Sequence, residues 1–418
     1  MSNSRPVSVS FSEYSILAKD VKRTLIYRCL SACLVLMVLG SVIFLVVTLA
    51  GSRQPPTEVL SPFGKVFGKR MTLKNGQFVD QFLGVPFAAP PIGDLRLRKP
   101  RPYAPLDADT NVILADRWRA WCHQYMPPEW AGFRKNKIFD EDCLYLNIWC
   151  PSQATPTDQF QKTTSGPVTL LPVMVWLHGG AFLLGGTEPY DGGKLASHGQ
   201  VVVVSISYRL ALLGLMQSYH SDQIPGNMGP FDEQMGLQWV ADNIVYFGGD
   251  ASQITLFGTS AGGVSVEYHM ISPYSRNYFQ RAILQVGFYI YIHIYTDIYT
   301  YIFQSGSPLT PVMMIGQESG PLKLEKVMKS CGCPYSPKAD GDKYAIFTNE
   351  SYECLRKVDI DKLMAAQDEI VSKRRDLGFY PVADGDFFPA HPYESLKVKI
   401  PENPQKSLQF SKNPWKIP

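Results

Sequence analysis

The five residues Gly258-Thr259-Ser260-Ala261-Gly262 have a spacing that suits covalent chemistry. They follow an apolar run of strand length, Ile254 to Phe257, and they open a segment with a helical pattern. In the pattern Gly-x-Ser-x-Gly, the glycines permit a turn so sharp that side chains there would collide with neighbouring backbone, and the serine is left exposed. The N-terminus of the following helix favours developing negative charge. The segment therefore predicts Ser260 as a nucleophile.

A second glycine-rich segment, Trp176 to Phe182 (WLHGGAF), lies at the end of another apolar strand. Backbone N–H groups of Gly179 and Gly180, with that of Ala261, would give an oxyanion three hydrogen-bond donors. A plain turn at the end of a strand is the alternative interpretation. The order of the two motifs along the chain favours the catalytic one.

The segments around these motifs indicate the fold class. Residues 173–177 and 201–207 are continuous apolar runs, as expected for strands buried on both faces of a parallel sheet. Residues 232–247 have the periodicity of a helix, which Gly248-Gly249 would end. Strand, helix and strand in this order predict an α/β fold.

With these motifs in place, the sequence resembles the type-B carboxylesterases, a family that includes cholinesterases and the neuroligin and neurotactin adhesion proteins. The similarity runs from about Phe63 to Pro392 and implies an α/β-hydrolase fold with a large, mostly parallel central sheet. The other segments that carry it are 82–88 (FLGVPFA), 90–93 (PPIG), 141–149 (EDCLYLNIW), 225–227 (PGN), 237–240 (LQWV), 247–250 (FGGD) and 381–389 (PVADGDFFP).

The resemblance implies roles for individual residues. Ser260 is then the nucleophile, and Gly179, Gly180 and Ala261 form the oxyanion hole. It further implies two disulfides and one structural ion pair: Cys122 with Cys143, Cys354 with either Cys331 or Cys333, and Arg96 with Glu141. No metal ion or other cofactor is needed, and no cysteine spacing matches a four-ligand zinc site.

The partners of the nucleophile are harder to place. A serine hydroxyl needs a base, and in this fold the acid and the histidine follow the serine along the chain. Only His293 and His391 follow Ser260. We interpret His391 as a surface residue and Glu402 as a loop residue, because the family's acid and histidine both come later. The resemblance stops near residue 406, so we expect the C-terminal part of the fold to be missing and this form to be inactive.

Two further positions depart from the family pattern. Thr259 stands where active family members usually carry glutamate. The tryptophan that stacks on choline in cholinesterases has no clear counterpart, and Trp130 and Phe133 are the nearest aromatic residues. We therefore do not assign choline esters as substrates.

The N-terminal region has the composition of a membrane anchor. Residues 29–50 contain no charge and are long enough to span a bilayer as a helix. Basic residues precede them, so the positive-inside rule predicts a single-pass type II protein with residues 1–28 in the cytoplasm. A cleaved signal peptide is the alternative. Residues 51–58 then form a stalk, 59–405 the α/β-hydrolase domain and 406–418 a divergent tail.

An extracellular or lumenal domain would meet an oxidising environment, which suits disulfides. Asn349-Glu350-Ser351 is then a potential glycosylation site, although such a tripeptide also arises by chance.

The segment from Val286 to Gln304 differs from the rest of the chain in being nearly all Tyr, Ile and Thr. Without it, the flanks join as RAILQ-SGSPLTP, as in the family. Its first residue, Val286, has codons that start with GT, and its last, Gln304, can be encoded by CAG; GT and AG are the marks of the two ends of an intron. Tyr-Ile repeats are what a TATATA tract encodes. We hypothesise a retained or mis-annotated intron. Inserted within a central strand, it would shift the register and leave backbone groups unpaired.

These features together predict a membrane-anchored carboxylic-ester hydrolase that forms an acyl-enzyme on Ser260. The alternative is a catalytically inactive, neurotactin-like or neuroligin-like adhesion protein on the same scaffold, because fold does not fix function. The partner is accordingly a small-molecule ester or a cell-surface protein. A net charge of +3 over 418 residues gives no indication of nucleic-acid binding.

Overall fold

The computed structural model describes residues 57–105, 107–127, 135–152, 169–218, 221–285, 319–340, 342–373 and 378–388. It also describes the backbone of residues 300–303, residue 132, and residues 28, 31 and 34–42. The chain divides into two units, residues 1–55 and 56–418.

In the first unit, residues 34–42 are helical and their apolar side chains are exposed. No helix within the described residues is both long and apolar enough to cross a membrane. Most of the predicted anchor, 29–50, lies outside the described residues, so the anchor stays a prediction. The predicted stalk ends inside the first strand, which begins at Thr57.

The second unit is built on one twisted sheet with the strand order β1-β2-β3-β7-β9-β8-β10-β11-β12, and β4 pairs with β2. β5 and β6 form a separate two-stranded sheet. The strands are β1 Thr57–Ser61, β2 Gly64–Thr72, β3 Phe78–Pro86, β4 Val112–Leu114, β5 Trp121–Cys122, β6 Phe139–Asp140, β7 Tyr145–Pro151, β8 Leu171–Leu177, β9 Val202–Ile206, β10 Gly249–Thr259, β11 Arg281–Gln285 and β12 Thr300–Phe303.

The sheet is mixed, whereas the resemblance implied a mostly parallel one. From β1 through β3, β7 and β9, neighbouring strands of the main path run antiparallel. From β9 through β8, β10, β11 and β12 they run parallel. Short connections explain the antiparallel pairing of β1, β2 and β3, since parallel neighbours need a crossover of a dozen or more residues. Only Pro62 and Phe63 join β1 to β2.

Helices cover both faces of the sheet, and alternate residues of each strand point to opposite faces. The helices are α1 Gly193–Gly199, α2 Ala211–Leu215, α3 Met228–Asn243, α4 Ala261–Ile271, α5 Ser319–Cys331, α6 Asn349–Lys357 and α7 Ile360–Lys373. On one face, Ala196 of α1 packs with Val79, Leu83, Trp149 and Val203. On the other, Trp239 of α3 and Val266 of α4 pack with Phe82, Ile148 and Val204.

The Tyr/Ile-rich segment does not break the strand that precedes it, so the expected shift of register is wrong. β11 pairs with β10 up to Gln285, the last residue before the segment. Near the other end of the segment, β12 pairs in parallel with β11, with Arg281 opposite Thr300. The extra residues thus supply a new neighbouring strand instead of displacing the old one. Residues 286–299 lie outside the described residues, and the intron hypothesis stays a prediction.

Two disulfides close loops of the second unit. Cys122 bonds to Cys143, and Cys333, rather than Cys331, bonds to Cys354. Cys331 and Cys150 are free and buried. Asn349 is exposed as the first residue of α6, while Ser351 is buried in the capping box of that helix. Its glycosylation stays a prediction.

Beneath the first disulfide loop lies the Arg96–Glu141 pair. Arg96 Nε donates to Glu141 Oε1 at 2.7 Å, and Arg96 Nη1 donates to the carbonyl of Val358. Both side chains are only 10% exposed. One guanidinium therefore joins the N-terminal strands, the disulfide loop and the end of α6.

Replacing Arg96 by alanine would leave the Glu141 carboxylate buried without its partner. We expect Arg96→Ala to lower the free energy of unfolding by about 3–5 kcal/mol, measured by urea denaturation. The control is Arg117→Ala, because Arg117 pairs with Asp116 but its side chain is 68% exposed. An exposed pair contributes less than about 1 kcal/mol. Equal losses in the two variants would show that the buried pair has no special role.

Candidate active site

Ser260 lies alone between β10, which ends at Thr259, and α4, which begins at Ala261. Its φ is 54° and its ψ is −125°. This conformation is rare for a residue with a side chain, and such strain clusters at functional sites. The Ser260 N–H donates to the carbonyl of Gln285 at 2.9 Å. The neighbouring strand β11 thus holds the turn in place, and the Ser260 side chain is exposed.

The two glycines of the pentapeptide are explained by contacts between backbones. A Cβ on Gly262 would lie 2.2 Å from the carbonyl oxygen of Leu177 and 2.7 Å from that of His178. A Cβ on Gly258 would lie 2.5 Å from the Gly262 carbonyl oxygen. Real side chains do not approach backbone so closely, so only glycine fits at either position. The turn therefore packs directly against the end of β8, where the second motif begins.

The glycine-rich segment after β8 lies against the serine. A Cβ on Gly179 would be 2.6 Å from the Thr259 carbonyl oxygen and 3.0 Å from the Ser260 Cβ. Within the described part of the chain, neither the Gly179 nor the Gly180 N–H donates a hydrogen bond. The Ala261 N–H begins a helix and so has no acceptor within that helix. Gly179 thus lies against the candidate nucleophile, and the N–H groups of Gly179, Gly180 and Ala261 have no acceptor among the described residues, so they could serve an oxyanion hole.

His178 holds this segment and is not a candidate base. Its side chain is buried, its ring stacks on Tyr208 with centroids 4.3 Å apart, and its Nδ1 lies 2.9 Å from the Gly179 carbonyl oxygen. The Tyr208 hydroxyl donates to the His178 carbonyl at 2.6 Å. Burial lowers the pKa of His178 to about 4, because a charged ring would lose its hydration. The ring is therefore neutral at physiological pH.

A buried polar network behind the turn was not predicted from the sequence. Glu233 of α3 accepts from Ser265 Oγ at 2.9 Å, and its other oxygen lies 3.3 Å from His269 Nε2. His269 Nδ1 lies 2.8 Å from Ser275 Oγ. All four side chains are buried, and burial raises the pKa of Glu233. Both ring nitrogens of His269 are occupied, so the network joins α3 to α4 and does not serve Ser260.

The remaining candidates for the triad lie elsewhere in the chain. His293, His391 and Glu402 are outside the described residues, as are Trp130 and Phe133. Where the structure describes side chains, none hydrogen-bonds to Ser260 Oγ, and no cluster suited to a metal ion occurs there either. The structure therefore brings Ser260 and the Gly179 segment together, and the roles predicted for them stay predictions. The candidate base and acid lie outside the described residues.

The low pKa of His178 gives a testable pH dependence. Its pKa of about 4 in the folded protein lies below the ordinary histidine pKa of about 6.5, so the unfolded chain takes up the proton first as the pH falls. The contribution of neutral His178 to the free energy of unfolding is complete above pH 6.5. About 3 kcal/mol of it is lost as the pH falls from 6.5 towards 4. We expect His178→Gln to remove this part of the pH dependence in urea denaturation at pH 7 and pH 4. Parallel curves for the variant and the wild type would contradict this assignment.

Known proteins are similar to this chain over most of its length. A sequence model of the carboxylesterase family matches residues 55–296 and 293–407, two segments that meet within the Tyr/Ile-rich stretch. Acetylcholinesterase of Danio rerio is 34% identical over 349 residues, which are 81% of this chain and 48% of that protein. Acetylcholinesterase of Electrophorus electricus is 34% identical over 353 residues, 82% of this chain and 49% of that protein.

Carboxylesterase 1E of Mus musculus is 43% identical over 247 residues, which are 57% of this chain and 41% of that protein. The chain thus spans about half the length of the curated relatives it matches, or less. The resemblance to type-B carboxylesterases is confirmed, and the mixed sheet with helices agrees with the α/β-hydrolase fold that the family implies. This chain belongs to the carboxylesterase family.

Proposed function

We propose that this protein hydrolyses carboxylic esters through Ser260. The observation that carries the proposal is the contact between the exposed, strained serine and the Gly179 backbone, whose N–H is not used elsewhere among the described residues. Family membership and the names of the two kinds of relative support the same reaction class. The substrate is accordingly a small-molecule ester whose acyl and alcohol parts are not yet defined.

In the proposed reaction, Ser260 Oγ attacks the ester carbonyl carbon and its proton passes to a base. The carbonyl oxygen becomes an oxyanion and accepts hydrogen bonds from the N–H groups of Gly179, Gly180 and Ala261. The alcohol leaves with a proton and an acyl-enzyme remains, which water then hydrolyses. None of the described histidines contacts Ser260, so we expect any base to come from residues that follow it, in the chain order of this fold.

We further propose that the enzyme domain is anchored in a membrane and faces an oxidising compartment. The uncharged segment 29–50 and the basic residues before it support a type II anchor. Two disulfides in the second unit support an extracellular or lumenal location, since disulfides are rare in cytosolic proteins.

The reactivity of Ser260 can be tested with a fluorophosphonate probe on the full chain. The proposal departs from the expectation, made from the sequence, that this form is inactive: it predicts that the wild type is labelled and that Ser260→Ala is not, because the probe reacts with activated serines. The control is Ser330→Ala, which removes an exposed hydroxyl of α5 and should leave labelling unchanged. Absence of labelling in a folded wild-type protein would contradict the enzyme and favour the inactive adhesion protein.

The oxyanion hole can be tested at Gly179. An added Cβ would press on the Thr259 carbonyl and the Ser260 side chain, so Gly179→Ala should displace the backbone donor. We expect ester hydrolysis or probe labelling to slow by about 10²–10³-fold, the usual effect of losing one such donor. Circular dichroism and thermal melting of the variant provide the control for folding. A folded variant with wild-type rates would exclude Gly179 from the site.

A further inference from the structure

We propose that Arg98 and Arg356 form a binding site for a phosphate or sulfate group. They line a cavity of about 580 Å³ between the turn at Gly93–Leu95 and α6. Neither Ser260 nor the glycine-rich segment lines this cavity. Its charged lining consists of four basic side chains and two acidic ones: Arg98, Arg101, Arg356 and Lys357, with Asp94 and Glu353.

The two arginines meet at one neutral acceptor. Arg98 Nη2 donates to Gln223 Oε1 at 2.9 Å, and Arg356 Nη2 donates to the same oxygen at 2.8 Å. Arg356 also donates to the Gln223 backbone carbonyl at 3.0 Å and is only 7% exposed. An amide oxygen orients the two guanidinium groups but cannot neutralise their charge. Three segments that are distant in the sequence, those carrying Arg98, Gln223 and Arg356, are therefore hydrogen-bonded together at this site.

Both arginines keep hydrogen-bonding capacity that the fold does not use. The Nε atoms of Arg98 and Arg356 are buried and lack a partner among the described residues. Buried donors of this kind are rare in folded proteins and need an explanation, of which a bound water or ion is one. Two guanidinium forks with free donors match the geometry of a tetrahedral oxyanion.

The two carboxylates nearby cancel only part of the positive charge of the four basic side chains. Neither arginine forms an ion pair in the described part of the chain, although Asp94 and Glu353 line the same cavity and are exposed. The partial negative charge at the C-terminal end of α6 offsets only a fraction of two full charges. Burial, followed by the charge of Arg98, lowers the pKa of Arg356, and the charges of Asp94 and Glu353 oppose that shift without reversing it.

Neighbouring basic residues show that this arrangement is particular to the pair. Arg96, two residues before Arg98, is paired with Glu141, and Lys99 is paired with Asp386. A second cavity of about 530 Å³ shares Arg98 and Arg101 with the first, but three basic and three acidic side chains line it. The anionic group therefore belongs in the first cavity, and the second can receive the rest of a larger ligand.

The test uses the full chain and inorganic phosphate, with sodium chloride at equal ionic strength as reference. Because a ligand that binds only the folded state raises the melting temperature, we expect phosphate to raise Tm by more than chloride does. Arg98→Gln and Arg356→Lys should each weaken phosphate binding at least about tenfold, since Lys keeps the charge but not the fork. Arg276→Gln removes an exposed charge outside the cavity and should change nothing.

Vesicles of phosphatidylcholine with and without phosphatidic acid distinguish a lipid phosphate from a free one. The site is supported if inorganic phosphate or phosphatidic acid vesicles bind the wild type and Arg276→Gln but neither cavity variant. Which of the two binds shows whether the site takes a free phosphate or a lipid phosphate. If Arg356→Lys fails to fold, Arg98→Gln decides alone, because Arg98 is only partly buried. Equal phosphate effects in the wild type and both variants, or no binding of either form, would overturn the proposal.

Discussion

The site depends on one close contact between backbones. The end of β8 meets the turn after β10 with no side chain between them, because Gly258 and Gly262 lack a Cβ where the Leu177 and His178 carbonyls approach. This approach places the glycine-rich segment beside Ser260 and fixes the unusual backbone angles of the serine. The conformational strain at Ser260 is offset by the parallel pairing of β8, β10 and β11 around it.

The surroundings hold this contact from both sides. His178, neutral and stacked on Tyr208, fixes the start of the glycine-rich segment. Behind the turn, Glu233 and His269 join the helices that pack under the serine. In front, the Gln285 carbonyl accepts a hydrogen bond from the Ser260 N–H, so the Tyr/Ile-rich segment begins next to the residue that holds Ser260. β11 nevertheless keeps its register, since the added residues continue into β12.

The local part of the site could be predicted from the sequence, because each motif encodes its own geometry. The glycines at 258 and 262 specify the turn, and apolar runs such as 173–177 specify buried strands. Non-local features could not be predicted in this way. The antiparallel half of the sheet depends on which strands become neighbours, and the Glu233–His269 pair depends on how α3 packs against α4. The sequence signal for that pair was the presence of several ionisable residues, Glu233 and His269 among them, within two otherwise largely apolar helical segments.

The choice of Cys333 over Cys331 had the same origin, since both cysteines fit the resemblance and only the packing of α5 and α6 separates them. The pair Arg98 and Arg356 is also non-local, because the two residues are 258 positions apart in the sequence and both donate hydrogen bonds to the side chain of Gln223. Charge counted along the sequence shows a near-neutral chain, whereas the fold concentrates uncompensated positive charge in one cavity.

The most direct measurement is a crystal structure of the full chain after reaction with a fluorophosphonate. We expect a covalent bond from Ser260 Oγ to phosphorus, with the phosphoryl oxygen about 2.7–3.1 Å from the backbone nitrogens of Gly179, Gly180 and Ala261. A phosphoryl oxygen that points away from these nitrogens, or an adduct on another residue, would contradict the proposed esterase site.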